Sequence, residues 1–135
     1  MKESNISNVA VVGASGYGGI QLIKLLKDHP SFEISFLGGA SSAGKNWNDL
    51  FPFLPLDKNI IIEKPDSNKI AEQADYAILS LPNGLASKLT PDLLHKNVKV
   101  LDLSADYRYS SINSWSQAYM NEAKKYSRND LNLKN

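Results

Sequence analysis

The residues of this chain best suited to chemistry are glycines. Gly13-Ala14-Ser15-Gly16-Tyr17-Gly18-Gly19 lies between the apolar run Val9-Ala10-Val11-Val12 and an amphipathic segment from Ile20 to Lys27. Strand, glycine-rich turn and helix, in that order, point backbone N–H groups at an anion such as a pyrophosphate, with the positive end of the helix dipole behind them. Gly13 lets the chain turn tightly where the strand ends, Gly16 has no Cβ to keep a phosphate off the backbone, and Gly19 lets the helix pack closely on the sheet. Ser15, Tyr17 and Gly18 complete the candidate turn. Glycine strings are common in turns; the strand before it and the helix after it are what point to nucleotide binding.

The other polar constellations carry less. Asp102, Ser104 and Asp106 stand close to Arg108, but the spacing lacks the glycine and distal glutamate of a calcium loop, and no histidine is near. The reading is a turn anchored by Asp102 and Asp106, which pair with Arg108; no metal site is expected. Ser104 has neither a histidine partner in sequence nor a nucleophile-elbow pattern. His29, beside the helix-ending Pro30, reads as a surface or capping residue, and His95 as solvated. The chain has no cysteine, which excludes disulfides, thiolate metal sites and a cysteine nucleophile among these residues. No catalytic residue is assigned.

Composition sets the frame. The 135 residues are 42% hydrophobic and 21% charged, ordinary for a globular domain. Fifteen basic residues against fourteen acidic ones give no reason to expect nucleic acid or an anionic membrane as partner. No stretch is apolar enough to span a bilayer and no signal-peptide pattern follows Met1, so the expected compartment is the cytoplasm.

The elements that must position the glycine turn follow from the apolar pattern. Val9 to Ala14 predicts a strand buried on both faces, followed by a helix that Pro30 ends. Phe32–Leu37 predicts a second strand and Ile60-Ile61-Ile62 a third. Between them runs a loop whose Trp47, Phe51 and Phe53 are read as satellite core. Asp66 or Ser67 caps a short helix through about Gln73. Tyr76–Leu81 predicts a fourth strand, then a helical stretch to Asn97 restarted at Thr90-Pro91 with threonine as cap. Val98–Leu103 predicts a fifth strand. Alternating strands and helices imply right-handed crossovers: a single α/β domain, a doubly wound, Rossmann-like parallel sheet. The dinucleotide-binding domain is taken as residues 1–112, with 113–135 a helical and polar tail in which Trp115, Ala118, Tyr119 and Tyr126 fall near helical spacing.

In such a sheet the ligand lies beyond the carboxyl ends of the strands, so the turns that matter are Gly13–Gly19, Gly38–Lys45, Pro82–Gly84 and Ser104–Arg108. Ser41, Ser42 and Lys45 follow the second strand without an acid to repel a 2′-phosphate, and Ala40 adds no donor. This favours NADP over NAD.

The same turns carry a resemblance. Gly13–Gly19, Ser41-Ser42-Ala43-Gly44-Lys45, Leu81-Pro82-Asn83-Gly84 and Leu101-Asp102-Leu103-Ser104-Ala105-Asp106-Tyr107-Arg108 resemble the amino-terminal domain of the N-acetyl-gamma-glutamyl-phosphate reductases, over roughly Asn8 to Arg108. Asn83 replaces the histidine usual in that family's Leu-Pro-His-Gly motif, and the segment after Tyr109 fits poorly. The resemblance implies an NADPH-dependent oxidoreductase of arginine biosynthesis acting on an acyl phosphate, a homo-oligomer at full length. In it a cysteine thiolate displaces phosphate and a hydride reduces the thioester. The cysteine and an assisting histidine come from the family's second domain, which is absent here, so the chain reads as a fragment or truncated relative whose tail begins that domain. The resemblance also adds Pro82, Asn83, Gly84 and Ser104 to the cofactor-binding candidates. A second reading remains, a stand-alone dinucleotide-binding or sensing module without chemistry of its own.

Overall fold

The computed structural model describes residues 5–104. The expected tail, and the turn residues Asp106 and Arg108, lie outside them. Within them the chain runs β1 (Ser7–Val12), α1 (Tyr17–Leu26), β2 (Phe32–Gly38), α2 (Trp47–Leu50), α3 (Ser67–Gln73), β3 (Tyr76–Leu79), α4 (Ala86–His95) and β4 (Lys99–Asp102). The four strands form one parallel sheet in the order β2-β1-β3-β4.

The central strand explains the layers. Val9, Ala10, Val11 and Val12 are all buried, as a strand covered on both faces requires. Val9 and Val11 join Ile23 and Leu26 of α1 on one face. Ala10 and Val12 join Ile70 of α3 and Leu93 of α4 on the other. The β1–β2 register skips Ser35, with Val9 opposite Ile34 and Ala10 opposite Phe36. Beyond this bulge the strands stay in register to their ends, with Val12 opposite Gly38.

Two expectations are corrected. Ile60-Ile61-Ile62 does not form a third strand; only isolated bridges join Asn46 to Ile61 and Gly38 to Glu63. The segment's backbone groups are taken by the loop before α2. Gly44 N–H donates to Ile62 O at 2.7 Å, Trp47 N–H to Ile60 O at 2.9 Å, and Ile62 N–H to Lys45 O at 2.9 Å. A ladder to β2 cannot form from groups already paired.

The second correction is in α4, which does not restart at Thr90-Pro91. The helix runs through, with Pro91 inside it and Thr90 buried rather than capping. Ala86, Ser87, Thr90 and Leu93 make one continuous buried face, and that packing outweighs the proline penalty. The helix ends in a Schellman motif: Asn97 takes φ 62, its N–H donates to Leu94 O at 3.0 Å, and Val98 N–H donates to Leu93 O at 3.0 Å. The expected cap of α3 is present, with Asp66 Oδ1 accepting from Lys69 N–H at 3.0 Å.

The aromatic loop divides. Trp47 is 0% exposed and stacks on Phe51 with centroids 4.2 Å apart, and its indole N–H donates to Leu54 O at 2.8 Å. Phe53 is 72% exposed. Trp47 therefore ties the post-β2 loop to the α1 face of the core. We predict that Trp47→Ala costs about 3–5 kcal/mol, the range for a fully buried aromatic. Urea unfolding of the variant beside the unaltered chain measures it; a loss under 1 kcal/mol would contradict the packing described.

Candidate functional site

The turn after β1 is held from both sides. Gly38 O, at the end of β2, accepts from Gly13 N–H at 2.8 Å and from Ala14 N–H at 3.0 Å. On the other side Ser80 N–H donates to Val12 O at 2.8 Å. Gly13 has φ +86, and a Cβ on it would collide with the backbone carbonyl of Ser80. Both the backbone angle and the neighbour demand glycine. Gly19 is constrained by approach instead: its Cβ would overlap Gly13 O and Ala14 O. The first turn of α1 is pressed against the end of β1, as close helix–strand packing at this position requires.

Gly16 differs. It is exposed and in extended conformation (φ −79, ψ 170), and a Cβ there would meet only Gly13 O at an ordinary 3.5 Å. Nothing in the protein requires glycine at this position. As N-cap of α1 it supplies no side-chain hydrogen bond, and the first turn carries no acidic residue. The contrast with α3, closed by its own Asp66, is instructive. The leading N–H groups of α1 are left without a side-chain acceptor, which is the electrostatic arrangement that takes an anion. Tyr17 stands over this end with its side chain 95% exposed.

The loop after β2 closes onto the turn. Ser15 Oγ and Ser42 Oγ lie 3.0 Å apart, and Ser42 is only 5% exposed. The Ser42 hydroxyl therefore faces inward, linking the two loops, while Ser41 and Lys45 are exposed. Sequence reasoning missed Gly39: its Cβ would meet Ser42 Oγ at 2.6 Å and Ile62 Cγ2 at 3.2 Å, so Ser42 can turn inward only beside glycine. The Gly38-Gly39 pair was the signal available, though it read only as a strand end. Beside this loop an open recess of about 360 Å³ is lined by Gly44, Lys45, Asn46, Asp49 and Leu50.

Pro82 is exposed, Asn83 half-buried, and Gly84 buried with φ +89. Ser87 Oγ donates to Gly84 O at 3.1 Å, fixing this turn to the start of α4. At the end of β4, Ser104 N–H donates to Asp102 Oδ1 at 2.8 Å, the turn-anchoring role expected of Asp102. His29 Nδ1 accepts from Ser31 N–H at 3.0 Å, a local capping contact, and His95 is exposed. Among the described residues, no group of three potential metal ligands comes together and no helix is long and apolar enough to cross a membrane.

All these turns lie at the carboxyl ends of the strands. Between β1 and β3 the chain leaves the sheet in opposite directions, to α1 on one face and α4 on the other. Such a switch point is where doubly wound sheets bind ligands. Residues 8–129 match the family model described as the semialdehyde dehydrogenase NAD-binding domain. The chain belongs to that family. Over 133 residues it is 50% identical to an N-acetyl-gamma-glutamyl-phosphate reductase of Prochlorococcus marinus strain MIT 9211, covering 98% of this chain and 37% of the relative. It is 57% identical over 125 residues to the reductase of the same name from strain NATL2A, covering 93% and 35%. The chain thus spans little more than a third of these relatives. Among solved structures, an aspartate semialdehyde dehydrogenase from Candida albicans, crystallised with NADP, superposes with a TM-score of 0.63 at 24% identity, over 90% of this chain and 38% of that one. That likeness supports the Rossmann-like fold.

The glycines of the turn make different demands, which a pair of substitutions separates. Gly19→Ala is expected to destabilise the domain by about 2 kcal/mol or more, because backbone must move to admit the methyl. Gly16→Ala is expected to stay within about 0.5 kcal/mol, as at an unencumbered surface position. Thermal and urea unfolding of both variants reads the difference; equal losses would contradict the packing of α1 on the turn.

Proposed function

We propose that this chain is the NADP(H)-binding part of an oxidoreductase that reduces N-acetyl-gamma-glutamyl phosphate to the semialdehyde, releasing phosphate, in arginine biosynthesis. The observation that carries the reading is the uncapped, acid-free N-terminus of α1 at the switch point, with Gly16 exposed before it. The identity to reductases of that name supports the substrate.

The residues fit a dinucleotide. The leading N–H groups of α1 would hold the pyrophosphate, with Gly13, Ser15, Gly16, Tyr17, Gly18 and Gly19 forming the wall around it. Ser42 would act by bracing Ser15, with which it is paired. Ser41 and Lys45 would meet the adenosine end, and the turns at Pro82-Asn83-Gly84 and Ser104 would border the nicotinamide end. Lys45 would meet a 2′-phosphate: its backbone is held, the N–H donating to Ser42 O at 3.2 Å and the carbonyl accepting from Ile62 N–H at 2.9 Å, and its side chain is exposed. The segment Phe36–Lys45 carries no acid in the place of an NAD-type site's ribose-binding carboxylate, and Glu63, which pairs with Gly38 at the end of β2, has its carboxylate on Lys69 Nζ at 3.4 Å.

When bound, the cofactor supplies the hydride. These residues orient it and hold its charge. They supply no thiolate, since none of the 135 is cysteine, and acyl-phosphate reduction through a thioester needs one. The nucleophile and the substrate pocket are proposed to belong to the part of the full-length enzyme that this chain does not span.

Two measurements follow. Lys45→Ala is expected to weaken NADP⁺ binding by about tenfold or more, the loss of one charge-assisted contact, and to leave NAD⁺ binding nearly unchanged. Equal losses for both cofactors would count against the 2′-phosphate assignment. The purified 135-residue chain is expected to bind NADPH yet show no oxidation of it with N-acetyl-gamma-glutamyl phosphate. Turnover above background would overturn the division of labour.

A further inference from the structure

Ser80 was not a site residue by sequence, and the structure gives it an unusual position. It follows β3 directly, and its backbone is fixed on both sides of the glycine turn, by its N–H on Val12 O and by its carbonyl in the space beside Gly13. The neighbouring glycine shows where its hydroxyl points. A Cβ built on Gly18 collides with Ser80 Oγ but lies an ordinary 3.5 Å from Ser80 Cβ. The hydroxyl therefore reaches into the first turn of α1, over the residue whose N–H is among the uncapped donors.

This orientation brings the hydroxyl no hydrogen bond from the described residues. It occupies the space that a Cβ at position 18 would take, in a helical position where alanine would otherwise favour the helix. An alanine at 80 would remove that conflict while keeping the Cβ contact. Among the described residues no side-chain hydrogen bond takes up the Ser80 hydroxyl. A half-buried hydroxyl beside the uncapped donors of α1 is open to a ligand held there.

We propose that the Ser80 hydroxyl is a direct cofactor contact, donating a hydrogen bond to a phosphate oxygen of the dinucleotide held at the α1 N-terminus. Gly18 is glycine to admit that hydroxyl, and not to admit the cofactor. The inference rests on the dinucleotide reading above and adds a residue from the opposite side of the switch point. The pyrophosphate is then gripped from β3 as well as from the β1 turn.

A double-mutant cycle on the full 135-residue chain tests it, with NADPH affinity read by calorimetry and stability by thermal unfolding. Ser80→Ala is expected to weaken NADPH about tenfold, as for one hydrogen bond to a charged group, with the melting temperature unchanged or raised. Gly18→Ala is expected to displace the hydroxyl, losing similar affinity and some stability. In Gly18→Ala/Ser80→Ala the affinity is expected to match Ser80→Ala alone, and the melting temperature to equal or exceed that variant's. Affinity of Ser80→Ala equal to that of the unaltered chain overturns the ligand contact. Losses that multiply in the double variant overturn the pairing, because Gly18 then acts on the cofactor itself. Failure of the unaltered chain to bind NADPH overturns the dinucleotide reading, and this inference with it.

Discussion

The structure depends on one close approach, that of Gly19 to the carbonyls of Gly13 and Ala14, which admits no side chain. This approach sets where α1 begins and which way its leading N–H groups point. The turn it presses on is fixed in turn by Gly38 O from β2 and by the Ser80 backbone from β3. Three strand ends thus converge on seven residues, and the positive end of a helix dipole is placed among them without a side-chain acceptor of its own. A looser contact would leave α1 amphipathic and packed, but its dipole would no longer point into the crevice between β1 and β3.

The two faces of the sheet divide the labour. On the α1 face the long loop after β2 is folded back by Trp47, buried and bonded to Leu54 O, and by the pairing of residues 44–47 with Ile60 and Ile62. That folding brings Ser42 under Ser15 and sets Lys45 at the rim. On the α3 and α4 face, the buried stripe of α4 carries the chain through Pro91 and returns it to β4. Stability is built on both faces, while the turns proposed to bind are concentrated where β1 and β3 send the chain apart.

Much of this was legible in the sequence because it is local. The doubly buried β1, the glycine turn, the Asp66 cap and the turn-anchoring Asp102 each depend on residues a few positions apart. What was not legible depends on which backbone groups and faces tertiary packing takes up. Ile60-Ile61-Ile62 has every property of a strand except free backbone groups, which a loop some fifteen residues earlier takes up. Thr90-Pro91 spells a helix start, and only the buried stripe from Ala86 to Leu93 reveals that the helix is already under way. Gly39 and Ser80 escaped because the contacts that reveal them, Ile62 against Gly39 and Gly13 with Gly18 against Ser80, join residues far apart in sequence.

The central claim is that the α1 N-terminus is an anion-binding site kept open by an exposed Gly16. Because a Cβ at Gly16 meets only Gly13 O, at an ordinary 3.5 Å, Gly16→Val tests the ligand's demand for space with little demand from the fold. Titration of NADPH into the unaltered chain and into Gly16→Val, with circular dichroism on both, is the most direct test. The account predicts measurable binding to the first, none to the second, and superimposable spectra. Equal affinity in a folded Gly16→Val chain would contradict it.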